Sequence, residues 1–286
     1  MTPRDHLWAI VLAGGEGQRL RALTRIPKQF YSFGERGSML RWALDRAARL
    51  VPRERIVPLV VESHRPHWEK ELEDLPPRNL AIQPRGRGTA VGILLALRRI
   101  LSRDPLAFVV TLPSDHHVED EEELERTLLS AVSAVHERPW RAVLVGTTPD
   151  GPEADYGWIL PAPTGEGPAH HIAGFVEKPG VAVATALLRA GALWNTFMLA
   201  ASATTLLELL ESAAPKLVQA LDGTESDQDL RRAYADLSEL DFSRDVLERV
   251  VNRLSVLRLP ACGWTDLGTP RRLVRHLAWR EHAYAH

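Results

Sequence analysis

A glycine-rich stretch near the N-terminus has the residue types of an anion-binding loop. The stretch Leu12 to Leu20, with sequence LAGGEGQRL, follows the apolar run Leu7 to Leu12 and is closed by Pro27-Lys28-Gln29-Phe30. Glycines let backbone N–H groups approach an anion, and Arg19 and Lys28 supply the positive charge that a polyphosphate needs. The pattern predicts a nucleotide site, and a purely structural turn is the alternative on motif grounds.

Two familiar nucleotide loops do not fit this stretch. A dinucleotide fingerprint starting at Gly15 requires a small residue at position 20, where Leu20 stands. A Walker loop requires Gly-Lys-Ser/Thr, and Gln18-Arg19 does not supply it. The loop therefore belongs to another class of phosphate site.

Two aspartates follow apolar strands and are candidates for magnesium ligands. Asp115, in Pro113-Ser114-Asp115-His116, comes directly after a strand, and Asp266 comes after the apolar run Leu254 to Leu259. Carboxylates beside a phosphate cradle suit Mg²⁺, which takes oxygen ligands. Helix capping and turn formation are the alternatives for each aspartate alone.

Three further motifs contain residues whose chemistry suits a sugar phosphate. Glu177 and Lys178 end an apolar strand before a proline, so the lysine is expected to neutralise a phosphate and the glutamate to accept hydroxyl hydrogen bonds. A surface ion pair is the alternative for this pair. Tyr156-Gly157 allows close approach to a sugar, and Asn195 supplies an amide that bridges hydroxyls, although strand packing alone also explains these residues.

Composition limits the class of protein. The chain has 286 residues, 45% hydrophobic content and a formal net charge of −2, so no basic field indicates nucleic acid as a partner. The single Cys262 excludes an intrachain disulfide framework. No apolar run approaches the length of a membrane span and no signal-peptide pattern begins the chain, so we expect a cytoplasmic protein with no membrane partner.

Apolar runs alternate with helical patterns through the first half of the chain. This rhythm predicts an α/β fold with a doubly wound, mostly parallel sheet. The predicted strands are Ala9 to Ala13, Ile56 to Val61, Leu80 to Gln83, Phe108 to Leu112 and Ala142 to Val145, and the predicted helices are Leu40 to Val51, Ala90 to Leu101 and Glu122 to His136.

The second half is less regular and is expected to add sugar-binding β segments and a helical C-terminal part. Its predicted strands lie at Tyr156 to Leu160, Ile172 to Val176 and Leu254 to Leu259, and its predicted helices at Val181 to Ala190, Ala203 to Ser212 and Gln228 to Leu237. We expect a single domain over residues 1–286, with a nucleotide-binding half of about 1–150 and a sugar-binding half of about 151–286.

In this order the motifs resemble those of the sugar-1-phosphate nucleotidyltransferases, most closely the mannose-1-phosphate guanylyltransferases. The resemblance covers nearly the whole chain. It is carried by Gly14-Gly15-Glu16-Gly17-Gln18-Arg19-Leu20, Pro27-Lys28-Gln29-Phe30, Gln83-Pro84-Arg85-Gly86-Arg87-Gly88-Thr89-Ala90, Pro113-Ser114-Asp115-His116, Tyr156-Gly157, Phe175-Val176-Glu177-Lys178-Pro179, Trp194-Asn195, Asp241-Phe242-Ser243 and Trp264-Thr265-Asp266-Leu267-Gly268.

The resemblance implies a magnesium-dependent transfer of GMP from GTP to mannose 1-phosphate, which yields GDP-mannose and pyrophosphate. It implies catalytic roles for Arg19, Lys28, Asp115, Lys178 and Asp266, with Asp115 and Asp266 as metal ligands. The implied nucleotide-binding residues are Leu12, Ala13, Gly14, Gly15, Gly17, Arg19, Gln83, Gly86, Gly88 and Asp115. The implied sugar-binding residues are Tyr156, Gly157, Glu177, Lys178 and Asn195.

The chain departs from the family pattern in places that bear on the substrate. Gly88 stands where asparagine is usual, and Thr196-Phe197 stands where a small residue and glycine are common. A sibling enzyme with another sugar or nucleotide, and a non-catalytic nucleotide-sugar sensor, are therefore the alternatives. The resemblance also implies the catalytic module of longer relatives, and the apolar segment Leu273 to Trp279 suggests a homodimer contact.

Overall fold

The structure is a computed structural model. It describes residues 3–15, 26–32, 37–163, 167–224, 226–267 and 272. Within those residues no helix is long and apolar enough to cross a membrane.

The elements follow the predicted order with four additions, one strand and three helices. The strands are β1 (Leu7–Leu12), β2 (Ile56–Val61), β3 (Ala81–Gln83), β4 (Phe108–Pro113), β5 (Ala142–Thr147), β6 (Gly157–Pro161), β7 (Ala169–Glu177), β8 (Leu193–Ser202) and β9 (Leu254–Leu259). The helices are α1 (Met39–Leu50), α2 (Arg65–Trp68), α3 (Thr89–Leu101), α4 (Glu121–Glu137), α5 (Val181–Arg189), α6 (Ala203–Ala213), α7 (Pro215–Leu221), α8 (Asp227–Asp236) and α9 (Phe242–Asp245). The four additions, which the periodicity did not predict, are the strand β8 and the helices α2, α7 and α9.

All these strands join one sheet, in the order β3-β2-β1-β4-β8-β5-β9-β7-β6. The pairs among β3, β2, β1 and β4 are parallel, as predicted, and so is β5 with β9. The strand β8 enters antiparallel between β4 and β5, and β6 and β7 add further antiparallel pairs. The α/β class is confirmed, while the parallel pairs are those among β1 to β4 and between β5 and β9, because β8, β6 and β7 join the sheet antiparallel.

Helices cover both faces of the sheet, which confirms the doubly wound arrangement. Apolar side chains of α1 and α4 pack with inward residues of β1 and β4 in one core, and those of α3 and α6 pack on the opposite face in a second core. Successive strand residues point to opposite faces, so a strand buried on both sides is apolar throughout, as β2 is. This rigid frame fixes the positions of the loops at its edge.

The long strand β8 is interrupted by a bulge. Between Leu144 and Gly146 of β5 the paired residues on β8 jump from Leu199 to Asn195. Phe197, inside the bulge, has a φ of 61°, a left-handed conformation that is uncommon for a residue other than glycine. Polar residues at 195 and 196 and this irregular backbone break the two-residue alternation, which is why the pattern did not single out β8.

Parallel pairing brings the ends of distant segments together. β1 and β4 both end at the same edge, and Ser114 donates its backbone N–H and its hydroxyl to the Leu12 carbonyl, at 3.1 and 2.7 Å. The segment after β9 reaches the same edge through paired backbone hydrogen bonds between His117 and Thr265, at 2.8 and 3.0 Å. The glycine loop, Asp115 and Asp266 therefore meet, as expected for carboxyl ends of neighbouring strands in an open sheet.

Candidate active site

The described part of the glycine loop is held by a buried glutamine. Gln29 lies in the short 3-10 helix Lys28–Phe30, and its side-chain Nε2 donates to the carbonyls of Ala13 and Gly15, at 2.9 and 2.8 Å. These two hydrogen bonds hold the segment Ala13 to Gly15, the described start of the loop, in place.

Lys28 links the two predicted metal ligands. Its side chain is 5% exposed, and its ammonium Nζ lies 3.1 Å from Asp115 Oδ2 and also donates to the main-chain carbonyl of Asp266. A nearly buried ammonium requires such oxygen partners, because an unpaired buried charge is costly. Lys28, Asp115 and Asp266, far apart in the sequence, thus form one cluster.

The charges in this cluster keep Asp115 ionised. Desolvation acts to raise the pKa of Asp115, but the positive charge of Lys28 and its hydrogen bond outweigh it, so the pKa lies below its ordinary value. The adjacent His116 is buried, and desolvation lowers its pKa to about 4. A neutral imidazole is consistent with its Nδ1 accepting from the indole N–H of Trp264, at 3.2 Å.

Asp266 is bound by an arginine. Arg272 Nη1 lies 3.0 and 3.1 Å from the two carboxylate oxygens of Asp266, and Arg272 Nη2 lies 3.1 Å from Glu153 Oε2. The same guanidinium stands 4.2 Å from the ring centroid of Tyr156. Burial, followed by the charge of Asp266, raises the pKa of the Tyr156 hydroxyl, so it remains protonated.

The predicted sugar residues form a second cluster beside Tyr156. A Cβ on Gly157 would lie 2.6 Å from Glu177 Oε2 and 3.2 Å from Asn195 Cβ, so these three residues are in contact. Burial raises the pKa of Glu177, and the charge of Lys178, whose Nζ is 3.2 Å away, partly offsets this. The Lys178 backbone N–H donates to the Tyr156 carbonyl at 3.0 Å.

The side chains of Lys178 and Asn195 are both oriented by an irregular backbone conformation. Lys178 has a φ of 47°, and strained residues of this kind persist where surrounding contacts over-determine them. Asn195 accepts the Phe197 backbone N–H on its Oδ1 at 3.1 Å, so the β8 bulge fixes its amide. The two side chains are therefore oriented by the ends and irregularities of β7 and β8.

The donor atoms of the first cluster suit magnesium. The described residues contain no group of three or more histidine, cysteine, aspartate or glutamate side chains arranged to hold a metal ion. Mg²⁺ is commonly held by one or two carboxylates together with substrate phosphates, and Asp115 and Asp266 supply hard oxygen atoms at this edge of the sheet. The pair fits a metal whose remaining ligands come from the substrate.

Comparison with known proteins identifies the family. The sequence profile described as "Nucleotidyl transferase" matches residues 8–279. The chain belongs to this nucleotidyl transferase family. The sugar-1-phosphate nucleotidyltransferase family predicted from the motifs is thereby confirmed.

Individual relatives lie in the same family. The chain is 33% identical over 290 residues to mannose-1-phosphate guanylyltransferase ManC of Salmonella typhimurium, covering 93% of this chain and 58% of ManC. It is 34% identical over 275 residues to the xanthan biosynthesis protein XanB of Xanthomonas campestris, covering 91% of this chain and 57% of XanB. The chain therefore spans less than two thirds of each of these relatives.

A solved structure of similar fold supports the assignment. A Thermus thermophilus protein described as a mannose-1-phosphate geranyltransferase superimposes with a TM-score of 0.85 at 32% identity, covering 94% of this chain and 78% of that protein. The α/β fold with a doubly wound sheet predicted from the sequence is confirmed, and it is Rossmann-like.

Gln83, Gly86 and Gly88, all predicted to bind the nucleotide, have different surroundings in the structure. Gln83 is buried, its Oε1 has no hydrogen-bond partner among the described residues, and a Cβ on Gly14 would lie 3.1 Å from its Nε2. Gly86 faces open space. Gly88 instead packs against protein, since its absent Cβ would lie 2.2 Å from the Leu240 carbonyl oxygen.

Some predicted residues lie outside the described residues, namely Gly17, Arg19 and the C-terminal segment Leu273 to Trp279. The structure also adds residues that the motifs did not assign. Gln29 could have been found from the sequence, because it belongs to the Pro27 to Phe30 motif. No sequence motif indicated that Arg272 contacts Asp266, Glu153 and Tyr156.

Proposed function

We propose that this chain transfers GMP from GTP to mannose 1-phosphate, forming GDP-mannose and pyrophosphate. Membership of the nucleotidyl transferase family supports the reaction class. The similarity to mannose-1-phosphate guanylyltransferase ManC and the ordered motifs support guanylyl transfer to mannose 1-phosphate. Another sugar 1-phosphate or another nucleoside triphosphate is the nearest alternative.

The observation that carries this proposal is the Lys28 cluster. A nearly buried lysine that contacts the Asp115 carboxylate and the Asp266 main-chain carbonyl, beside the described start of the glycine-rich stretch, supports a polyphosphate site here. The oxygen of mannose 1-phosphate is already an anionic nucleophile, so no general base is needed. The barrier is the repulsion between two phosphates and the alignment of the attacking oxygen opposite pyrophosphate.

In the proposed reaction each side chain has a limited task. Asp115 and Asp266 would hold magnesium, which when bound neutralises phosphate charge and helps to orient the triphosphate. Lys28 and Arg19 would contact the triphosphate and offset the charge that accumulates during transfer. Lys178, 36% exposed at the end of β7, would contact the phosphate of the sugar.

The binding clusters are also consistent with the proposed substrates. Gln83 Oε1, a buried acceptor without a partner among the described residues, suits an N–H donor of the guanine base. Glu177 and Asn195, which meet at Gly157, present acceptor and amide groups suited to sugar hydroxyls. The carbonyls of Leu12 and Ala13 already accept from Ser114 and Gln29, so these two residues would contribute to nucleotide binding by shaping the base of the glycine loop.

The decisive experiment measures pyrophosphate release for each nucleoside triphosphate with mannose, glucose and related 1-phosphates. We expect the highest kcat/KM for GTP with mannose 1-phosphate. Equal or faster turnover of dTTP with glucose 1-phosphate would reject the guanylyltransferase assignment. Tight GDP-mannose binding without turnover of any pair would indicate a sensor.

A matched pair of variants ties turnover to the cluster. Asp115→Asn should lower kcat by at least about a hundredfold, because it removes a charge beside the transferred phosphate. Asp222→Asn changes the same residue type in an exposed ion pair with Arg98 and should leave kcat unchanged. Equal kcat values for the two variants would contradict the assigned site.

Two further expectations accompany this function. A homodimer is proposed through the C-terminal segment Leu273 to Trp279, and sedimentation of the chain with and without this segment would test it. Location in the cytoplasm likewise remains a prediction. The division into a nucleotide-binding and a sugar-binding half is also proposed.

A further inference from the structure

Arg272 neutralises one of the two proposed metal ligands. One of its guanidinium nitrogens, Nη1, contacts both carboxylate oxygens of Asp266, at 3.0 and 3.1 Å, and both side chains are only 15% exposed. A guanidinium in contact with both oxygens stands where a cation bound to that carboxylate would compete for the same lone pairs.

The same arginine also contacts Glu153 and Tyr156, so Asp266 is one of three partners. Its Nη2 lies 3.1 Å from Glu153 Oε2, and its guanidinium carbon stands 4.2 Å from the centroid of the Tyr156 ring. An arginine that loses one carboxylate while buried would carry an uncompensated charge, which is strongly unfavourable. Glu153 and Tyr156 remove this obstacle, because they retain the guanidinium by an ion pair and a cation–π contact.

We propose that Arg272 is a positioning residue that holds Asp266 in the metal-free protein and yields this carboxylate to Mg²⁺ while staying bound to Glu153 and Tyr156. The inference rests on the proposed assignment of Asp266 as a metal ligand. Arg272 lowers the affinity of the free protein for Mg²⁺, so the metal enters mainly together with the triphosphate that supplies its other ligands. Because Tyr156 is a proposed sugar residue, the same guanidinium also links the metal side of the site to its sugar side.

The test is calorimetric titration of Mg²⁺ into the full chain without substrates. Titration with Mn²⁺, monitored by its electron paramagnetic resonance signal, is a second probe. Arg272→Gln should bind Mg²⁺ roughly tenfold to a hundredfold more tightly than the unmodified protein, the change expected when one charge-assisted competitor is removed. Arg272→Lys keeps the positive charge but cannot reproduce all the guanidinium contacts with Asp266, Glu153 and Tyr156, so its Mg²⁺ affinity should lie between those of the unmodified protein and Arg272→Gln.

Arg98→Gln is the matched control, because Arg98 pairs with Asp222 on the exposed surface. It should leave Mg²⁺ affinity unchanged, and a circular dichroism melt of each variant checks that it is folded. Unchanged or weaker Mg²⁺ binding in Arg272→Gln, or equal tightening in Arg272→Lys, would overturn the proposal.

A second measurement separates this proposal from the function on which it rests. Asp266→Asn should weaken Mg²⁺ binding, and in that background Arg272→Gln should have no additional effect. If Asp266→Asn binds Mg²⁺ like the unmodified protein, the metal assignment and this proposal both fail, although the nucleotide and sugar preferences measured by pyrophosphate release would still stand. If only the effect of Arg272→Gln is missing, the metal assignment holds and the role of Arg272 fails.

Discussion

The loop between β3 and α3, which carries Gly86, is expected to depend on Gly88, which tolerates no side chain. Gly88 has a φ of 84° and precedes helix α3, and an added Cβ would lie 2.2 Å from the Leu240 oxygen and 2.7 Å from its carbonyl carbon. These are backbone atoms, so no side-chain rotation relieves the overlap. Gly88→Ala must shift either the loop or the Leu240 segment.

The size of the effect follows from these contacts. Backbone strain of this kind costs about 1 to 3 kcal/mol, and steric overlap in a packed region costs about 1 to 3 kcal/mol more. The shift also weakens the hydrogen bonds from Ala90 N–H to the Leu240 carbonyl and from Leu240 N–H to the Arg87 carbonyl, both 3.1 Å. We expect Gly88→Ala to lower the free energy of unfolding by about 2 to 6 kcal/mol.

The assay is urea unfolding of Gly88→Ala beside Gly86→Ala. Gly86 lies in the same loop but has open space where its Cβ would stand. Gly86→Ala should stay within about 1 kcal/mol of the unmodified protein, and raise KM for GTP if this glycine lines the nucleotide. Asparagine, usual at the position of Gly88 in the family, should be as disruptive here as alanine. A Gly88→Ala change below about 1 kcal/mol would refute the reasoning.

Three other predictions concern the sugar side of the site. Lys178→Ala should raise KM for mannose 1-phosphate by about tenfold to a hundredfold, with far less effect on KM for GTP; equal effects on both would assign Lys178 to the triphosphate. Burial raises the pKa of Glu177, so its carboxyl group holds a proton more tightly in the folded protein than in the unfolded chain. The stability that comes from this protonation is complete below the pKa of the unfolded state and is lost as pH rises through the pKa of the folded state. In urea unfolding, Glu177→Gln should therefore gain stability relative to the unmodified protein as pH rises above the ordinary range of a glutamate pKa, and a difference that is constant with pH would contradict this. Thr111→Val should lower the free energy of unfolding by about 2 to 4 kcal/mol in the same assay. The Thr111 hydroxyl donates to the Phe197 carbonyl at 3.0 Å and accepts the Leu199 N–H at 3.2 Å within the β8 bulge. A loss below about 1 kcal/mol would show that the bulge does not depend on this hydroxyl.

Sequence patterns predicted the regular elements well where periodicity was clean. The strand Ile56–Val61 and the strand Leu254–Leu259 have the predicted bounds, because each is a short, strongly apolar run between turn residues. Each end of helices α1, α3 and α4 lies within one residue of its predicted position. The strand β8 was missed because its bulge and its polar residues disturb the alternation.

The candidate site was predicted in part. The Gly14 to Gly15 turn, Lys28, Asp115 and Asp266 share one edge of the sheet, as expected from strands that end there. The roles of these residues toward ligands remain predictions. Gly88 illustrates the difference, since a motif glycine assigned to the nucleotide proves to be in contact with the Leu240 backbone.

The sequence by itself determined the family and the kinds of chemical group available. Ordered motifs and apolar periodicity are written in local order along the chain, so they can be recognised without coordinates. Tertiary structure alone decided that β8 lies antiparallel between β4 and β5, and that Arg272 contacts Asp266, Glu153 and Tyr156. Such pairings depend on which distant segments pack together and on which buried charges must find partners, and neither is recorded in the spacing of neighbouring residues.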